Sequence, residues 1–290
     1  MKGESASELA AAALVLREHM VRWDPGRDGV LDTCGTGGDG AGTFNISTAT
    51  ALVVAAAGVP VVKHGNRSVS SRCGSADVLS ALGVRIEGDA AFARRCLDRA
   101  GLAFCFAPQF HPAMKNVAAL RRRLGVATLF NWLGPLANPA GACYQLLGVG
   151  RRDLLDLVAG ALAKLGTRRA LVVCSRDGLD EVSLSAPTDV REVRGGAVSA
   201  CEWTPDNFGL AGCCLENLRA DSIETSAATI RDVLRGTEGP ALCVVLANAA
   251  AALFAAERAA TLREGVALAR AAILDGRALR VLEELRAISA

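Results

Sequence analysis

Aromatic side chains are scarce in this chain, at 4% of 290 residues with a single tyrosine. The formal net charge is only +2, and no Lys/Arg run is interleaved with stacking residues, so an extended nucleic-acid surface is not expected. None of the ten cysteines shows a Cys-x-x-Cys spacing and no apolar leader is evident, so reduced thiols in the cytoplasm are expected rather than a disulfide framework. The vicinal pair Cys213-Cys214 is the one redox-capable arrangement, and a bridge there would be strained. The longest apolar stretch, residues 241–256, is too short for a membrane span and carries Asn248 at its middle. It reads as buried packing. Most telling is a gap in charge: no Asp or Glu stands between Asp39 and Asp77.

With 51% apolar and 21% charged residues, the chain can build one large α/β unit, or a large domain plus a small one. Residues 7–20 carry an amphipathic helical stripe that Asp24-Pro25-Gly26 breaks. Residues 29–34 form a short strand feeding a glycine turn. A helix capped by Asn45 or Ser47 follows and stops at Gly58. Residues 59–63 form the next strand, and a second turn leads into a helix opened by Asp77. Strand, turn and helix thus occur twice, the mark of a parallel sheet. Further helices are expected over 89–100, 113–124, 128–133, 154–165, 222–235, 261–274 and 277–289, with strands over 102–107 and 169–174. Residues 108–112 read as loop, 177–198 as loop and short antiparallel strands, and the region near Leu242 as a strand or a buried helix start.

The first turn, Gly35-Thr36-Gly37-Gly38-Asp39-Gly40, matches the dinucleotide fingerprint literally but lacks the carboxylate about 20 residues on that would hold a ribose. It also lacks the Gly-Lys-Ser/Thr of a Walker loop. The second is Lys63-His64-Gly65-Asn66-Arg67-Ser68. A single glycine cluster is more often just a tight turn. Two of them lie in an acid-free interval with Lys63, His64, Arg67, Arg72 and the hydroxyls of Thr43, Ser47, Thr48, Ser68, Ser70, Ser71 and Ser75. Cations, hydroxyls and exposed N–H groups without competing carboxylates suit a pyrophosphate. Magnesium, which usually accompanies one, takes one or two carboxylates plus phosphate oxygens. Asp180-Glu181 lies just past a strand end and supplies them.

These blocks resemble the anthranilate phosphoribosyltransferases, a branch of the nucleoside-phosphorylase-like (class III) phosphoribosyltransferases. Further matches are Phe44 to Thr48, Gly74-Ser75-Ala76-Asp77, His111-Pro112-Ala113-Met114-Lys115, Arg121, the run from Phe130 to Pro139, and Asp177 to Glu181. The resemblance implies an α/β large domain (25–111 and 141–290) with a mostly parallel sheet flanked by helices, and a small all-helical domain (1–24 and 112–140). It implies that Gly35, Gly38, Asp39, Thr43, Asn45, Ile46, Ser47, Thr48, Lys63 and Ser75 hold phosphoribosyl pyrophosphate, together with the second-turn residues His64, Gly65, Asn66, Arg67, Ser68, Val69, Ser70 and Ser71. Ser47, Asp180 and Glu181 would hold magnesium, two ions in all, while Gly35, Asn66, His111 and Arg121 would line the anthranilate path. Lys63, Asp180 and Glu181 are the residues expected to carry catalysis.

The same resemblance implies a homodimer formed through the small domain. Residues 1–5 match the interior of that domain, so its first helices are expected to be missing, from a truncated or misassigned start, with the dimer weakened. No nucleophile triad is evident, and neither His64 nor His111 is followed by an orienting carboxylate. Catalysis is therefore expected from positioning and electrostatic relief of the departing pyrophosphate. Two rivals are weighed: a pyrimidine nucleoside phosphorylase, opposed by Asp180-Glu181 and the 130–139 block, and a nucleic-acid-binding paralogue, opposed by the near-neutral charge.

Overall fold

The computed structural model describes residues 3–68, 73–124, 126 and 128–290, without the side chains of 118–122. Its sheet has seven strands: β1 (Leu31–Asp32), β2 (Val61–Gly65), β3 (Leu102–Phe106), β4 (Tyr144–Gly148), β5 (Arg169–Ser175), β6 (Thr188–Arg194) and β7 (Ala197–Trp203). They lie in the order β3-β2-β1-β4-β5-β6-β7. The first five are mutually parallel, and β6 and β7 extend the sheet as an antiparallel hairpin. The chain runs outward from β1 to β3 and then returns to β4 on the other side. The reversal point therefore lies between β1 and β4, where open α/β sheets bind ligands beyond the carboxyl ends of their strands.

Helices cover both faces: α1 (Ala6–Glu18), α2 (Ile46–Ala56), α3 (Ser75–Ala81), α4 (Ala90–Ala100), α5 (Ala107–Phe110), α6 (Lys115–Leu124), α7 (Phe130–Leu133), α8 (Leu155–Lys164), α9 (Pro205–Phe208), α10 (Ile223–Leu234), α11 (Pro240–Ala255), α12 (Leu262–Leu274) and α13 (Arg277–Ser289). Alternation along β5 sorts its side chains between two cores, as a period of two requires. Leu171 and Val173 join the larger core with α2, α4, α11 and α13. Ala170, Val172 and Cys174 join a second core with Leu9 and Ala13 of α1, Leu133 of α7 and Leu155, Val158 and Leu162 of α8. Local caps agree with the pattern: Ser5 and Glu8 close a reciprocal capping box on α1, and Asp89 Oδ1 accepts the Phe92 N–H to start α4.

Two segments depart from the sequence reading. Residues 108–110, expected as loop, belong to a helical turn (Ala107–Phe110), because Pro108 sits in its first turn, where proline lacks no needed donor. Near Leu242, of the two alternatives left open, the buried helix start holds: the region is the 16-residue helix α11. Strand β4 sits between β1 and β5, at a position the sequence reading leaves unassigned. All ten thiols are free, and no helix among the described residues is long and apolar enough to cross a membrane.

Candidate active site

A cavity of about 650 Å³ opens beyond the carboxyl ends of β1, β2 and β3, with the loop after β5 on one side. Its floor is the β1–α2 loop, in which Gly37, Gly38, Gly40 and Gly42 all take positive φ, leaving main-chain N–H groups along the rim. The loop is pinned at both ends. Thr36 N–H donates to Gly148 O at 2.8 Å and Phe44 N–H to Leu218 O at 2.8 Å. Where the loop enters α2, Asn45 Oδ1 accepts the Thr48 N–H at 3.1 Å, so the helix begins with its unpaired donors beside the cavity.

The second wall is the turn after β2. Asp77 holds it closed: Oδ2 accepts the N–H groups of Ser68 (3.0 Å) and Gly74 (3.1 Å), and Oδ1 accepts Arg67 Nη1 at 3.1 Å. A Cβ on Gly65 would lie 2.2 Å from Ser75 Oγ and 2.8 Å from the Phe104 ring, so a side chain there would have to displace both. Lys63 is buried and its ammonium donates to Thr33 O (3.1 Å), Thr33 Oγ1 (3.2 Å) and Ser47 Oγ (3.1 Å). Its charge is balanced by Asp32, also fully buried. Asp32 accepts from Asn138 Nδ2 at 2.7 Å and from the His64 N–H at 3.1 Å. Burial raises the Asp32 carboxyl to about 6, with Lys63 pulling the other way.

Facing the glycine loop are Asp180 and Glu181. Asp180 Oδ2 accepts the Gly37 N–H at 3.1 Å. Burial first, then Asp39, holds the Asp180 carboxyl above the usual range; burial and Asp180 do the same to Glu181, against the pull of Lys63. Crowded carboxylates of this kind are relieved by a cation, and the donors on offer are all oxygen, which suits magnesium. No cluster of three or more His, Cys, Asp or Glu side chains poised to hold a metal occurs among the described residues; magnesium commonly takes one or two carboxylates and completes its shell with phosphate and water.

His64 and His111 pack edge-tilted on the cavity wall, 4.8 Å between ring centroids and 48° between ring planes. Burial lowers His64 to about 3, with His111 adding to the shift, and lowers His111 to about 4. Both are neutral at physiological pH. His64 Nδ1 pairs with Gly134 O at 2.9 Å, whereas its Nε2 has no hydrogen-bond partner among the described residues.

The architecture matches known enzymes. A family model described as "Glycosyl transferase family, a/b domain" matches residues 27–279. The anthranilate phosphoribosyltransferase of Thermomicrobium roseum is 54% identical, covering 100% of this chain and 84% of its own. The crystal structure of the Thermus thermophilus anthranilate phosphoribosyltransferase superposes with a TM-score of 0.92 at 45% identity, covering 99% of this chain and 86% of that one. The Saccharomyces cerevisiae enzyme, solved in complex with PRPP and Mg, superposes at 0.90 with 30% identity, covering 98% and 80%. The chain belongs to the anthranilate phosphoribosyltransferase family.

Within this family framework, the cavity gathers most of the expected site: Gly35, Gly38, Asp39, Thr43, Asn45, Ile46, Ser47, Lys63, His64, Gly65, Asn66, Arg67, Ser68, Ser75, His111, Asp180 and Glu181. Thr48 is not on its wall; it is fully buried in α2. Val69, Ser70 and Ser71 lie outside the described residues, as does the Arg121 side chain. Sequence reasoning passed over Asp32, Thr33, Asn138 and Gly148. Asp32 carried a usable signal, being an acid inside an otherwise apolar strand run (Val30-Leu31-Asp32). Asn138 falls in the 130–139 run that carries the resemblance, but nothing local shows its role, because its partner Asp32 lies 106 positions away. Cys34 stays a neutral thiol, because burial and then Asp32 push it far up.

Proposed function

We propose that this chain transfers the phosphoribosyl group of 5-phosphoribosyl 1-pyrophosphate to the amine of anthranilate, releasing pyrophosphate, in tryptophan biosynthesis. The observation that carries the reading is one cavity lined by two glycine-rich loops, a buried lysine and the Asp180-Glu181 pair. The diphosphate lies along the N–H groups of residues 35–40 and the start of α2, with Lys63 and the second turn, 63–75, on its other side. Asp180, Glu181 and Ser47 would hold magnesium, two ions in our reading. Bound with the diphosphate, magnesium would neutralise charge developing on the leaving group.

The chain's own part is positioning and charge relief. Lys63, immobilised by three hydrogen bonds, presents fixed positive charge without reorganisation as the C1–oxygen bond breaks. The anthranilate nitrogen attacks C1 from the opposite face and loses its proton afterwards. The neutral imidazoles of His64 and His111 form a wall and donors rather than a base, since neither holds a proton readily in this burial. Arg121 offers a planar fork for the anthranilate carboxylate. Residues 1–24 and 112–140 form the small domain in this reading, with Leu9, Ala13, Leu133 and Leu136 packed on α8 and β5 of the large domain. The protein acts as a cytoplasmic homodimer.

The test is anthranilate fluorescence, followed with phosphoribosyl pyrophosphate and Mg²⁺. The reading requires loss of fluorescence that depends on both. Turnover of pyrimidine nucleosides with inorganic phosphate, and none of anthranilate, would replace it with the phosphorylase reading.

A further inference from the structure

Helix α11 is apolar almost throughout, and Asn248, fully buried at its middle, is its one amide. A buried carboxamide is costly unless each of its polar atoms is matched. Here all are used. Asn248 Oδ1 accepts the Val182 N–H at 2.9 Å, and Nδ2 donates to Val182 O at 2.9 Å and to Val244 O at 2.9 Å. The orientation of the amide follows from the pairing, because a backbone N–H must face its oxygen. Two of the three bonds clamp both polar groups of one residue, and that residue directly follows Glu181.

Val182 is fully buried, and the turn is also tied from the opposite side. Ser183 Oγ donates to Asp177 Oδ2 at 2.6 Å, and the Ser183 N–H donates to Thr188 Oγ1 at 3.1 Å. Asp180 and Glu181 hang between these ties. Their crowded carboxylates would push apart without such restraint, whereas a helix packing against β4 and β5 is a rigid anchor.

We propose that Asn248 is a positioning residue for the cation site: its carboxamide fixes the backbone after Glu181, and so the separation and aim of the Asp180 and Glu181 carboxylates. The proposal rests on the reading of those two residues as the magnesium ligands. Asn248 does not line the cavity. Its effect therefore reaches the chemistry only through the backbone of Val182.

The test compares Asn248→Leu, Asn248→Asp and Leu253→Ala, the last a buried truncation on the same helix. Asn248→Asp keeps an acceptor for the Val182 N–H and loses both donors, so it serves if Asn248→Leu does not fold. Mn²⁺ binding in the presence of pyrophosphate is read by electron paramagnetic resonance, alongside melting temperature and the Mg²⁺ dependence of turnover. Positioning predicts that the Asn248 variants weaken Mn²⁺ binding about tenfold or more, with turnover partly restored by excess Mg²⁺. Leu253→Ala should lower the melting temperature with Mn²⁺ affinity unchanged. Equal Mn²⁺ affinity in wild type and Asn248→Asp, or an equal loss in Leu253→Ala, would overturn the proposal. Asp180→Asn with Glu181→Gln separates the two levels: if that pair leaves Mn²⁺ binding intact, the ligand assignment itself is wrong; if it abolishes binding while Asn248 variants do not alter it, only the positioning role fails.

Discussion

Replacing Gly148 by alanine would place a methyl carbon 1.5 Å from the carbonyl oxygen of Asp180. A carbon–oxygen contact relaxes at about 3.3 Å, so the two backbones must part by roughly 1.8 Å. Gly148 is the last residue of β4, held by its pairing with Val173 of β5 and by accepting the Thr36 N–H at 2.8 Å. The displacement therefore falls largely on the turn carrying Asp180 and Glu181, and on Gly35, which packs against Gly148 O. A misplacement of about 1 Å at reacting groups typically costs 10²-fold in rate. We expect kcat/KM for phosphoribosyl pyrophosphate to fall at least ~10²-fold, equivalent to about 2.7 kcal/mol of lost transition-state stabilisation. The assay is initial-rate kinetics across Mg²⁺ concentrations, with a urea melt on the same preparation. Gly141→Ala is the control: its φ is +67° and nothing lies within 4 Å of the new Cβ, so it should lose about 1 kcal/mol of stability and keep its kinetics. A Gly148→Ala enzyme with wild-type kcat/KM would refute the reasoning.

Asp77→Ala removes the acceptor of three hydrogen bonds that close the 67–74 turn. It should raise KM for phosphoribosyl pyrophosphate about tenfold or more, with Asp77→Asn intermediate; unchanged KM would exclude that turn from the ligand. Asp32→Ala removes the acceptor of one Asn138 Nδ2–H, whose other N–H still donates to Val62 O, and of the His64 N–H, and strips the counter-charge from buried Lys63; it should cost about 3–5 kcal/mol in urea unfolding. A loss below about 1 kcal/mol would mean water or rearrangement replaces the carboxylate. The buried histidines set an acid limit. Because their folded pKa values, about 3 and about 4, lie below the unfolded value, unfolded chains take up protons first as pH falls through 6.5, and stability drops. Asp32, raised to about 6, acts oppositely, gaining stability over the same descent, so the informative quantity is a difference. Between pH 7 and 5, His64→Gln should lose about 2 kcal/mol less than wild type; parallel pH profiles would contradict a buried neutral His64.

What the sequence discloses is local. The glycine turns, the Asn45 cap and the acid-free interval all act within a few residues of where they stand, so both phosphate-side loops and the strands before them were legible. The Asp180-Glu181 pair was legible as chemistry but not as geometry. Strand β4 was hidden because it is buried on both faces and its second residue is a glutamine, Gln145, whose amide donates to Pro135 O at 2.6 Å. Its period therefore carries no solvent face. Asp32, Asn138 and Gly148 owe their roles to contacts across more than 30 positions, and no local pattern encodes such a partner. Asn248 stood out as polar in an apolar run, but only the fold reveals that it faces Val182.

The most direct measurement is a crystal of this protein soaked with phosphoribosyl pyrophosphate and Mg²⁺. The account predicts density for the diphosphate between the 35–40 loop and the start of α2, within hydrogen-bond reach of Lys63, and metal density at Asp180 and Glu181. Ligand bound elsewhere, with that cavity empty, would contradict it.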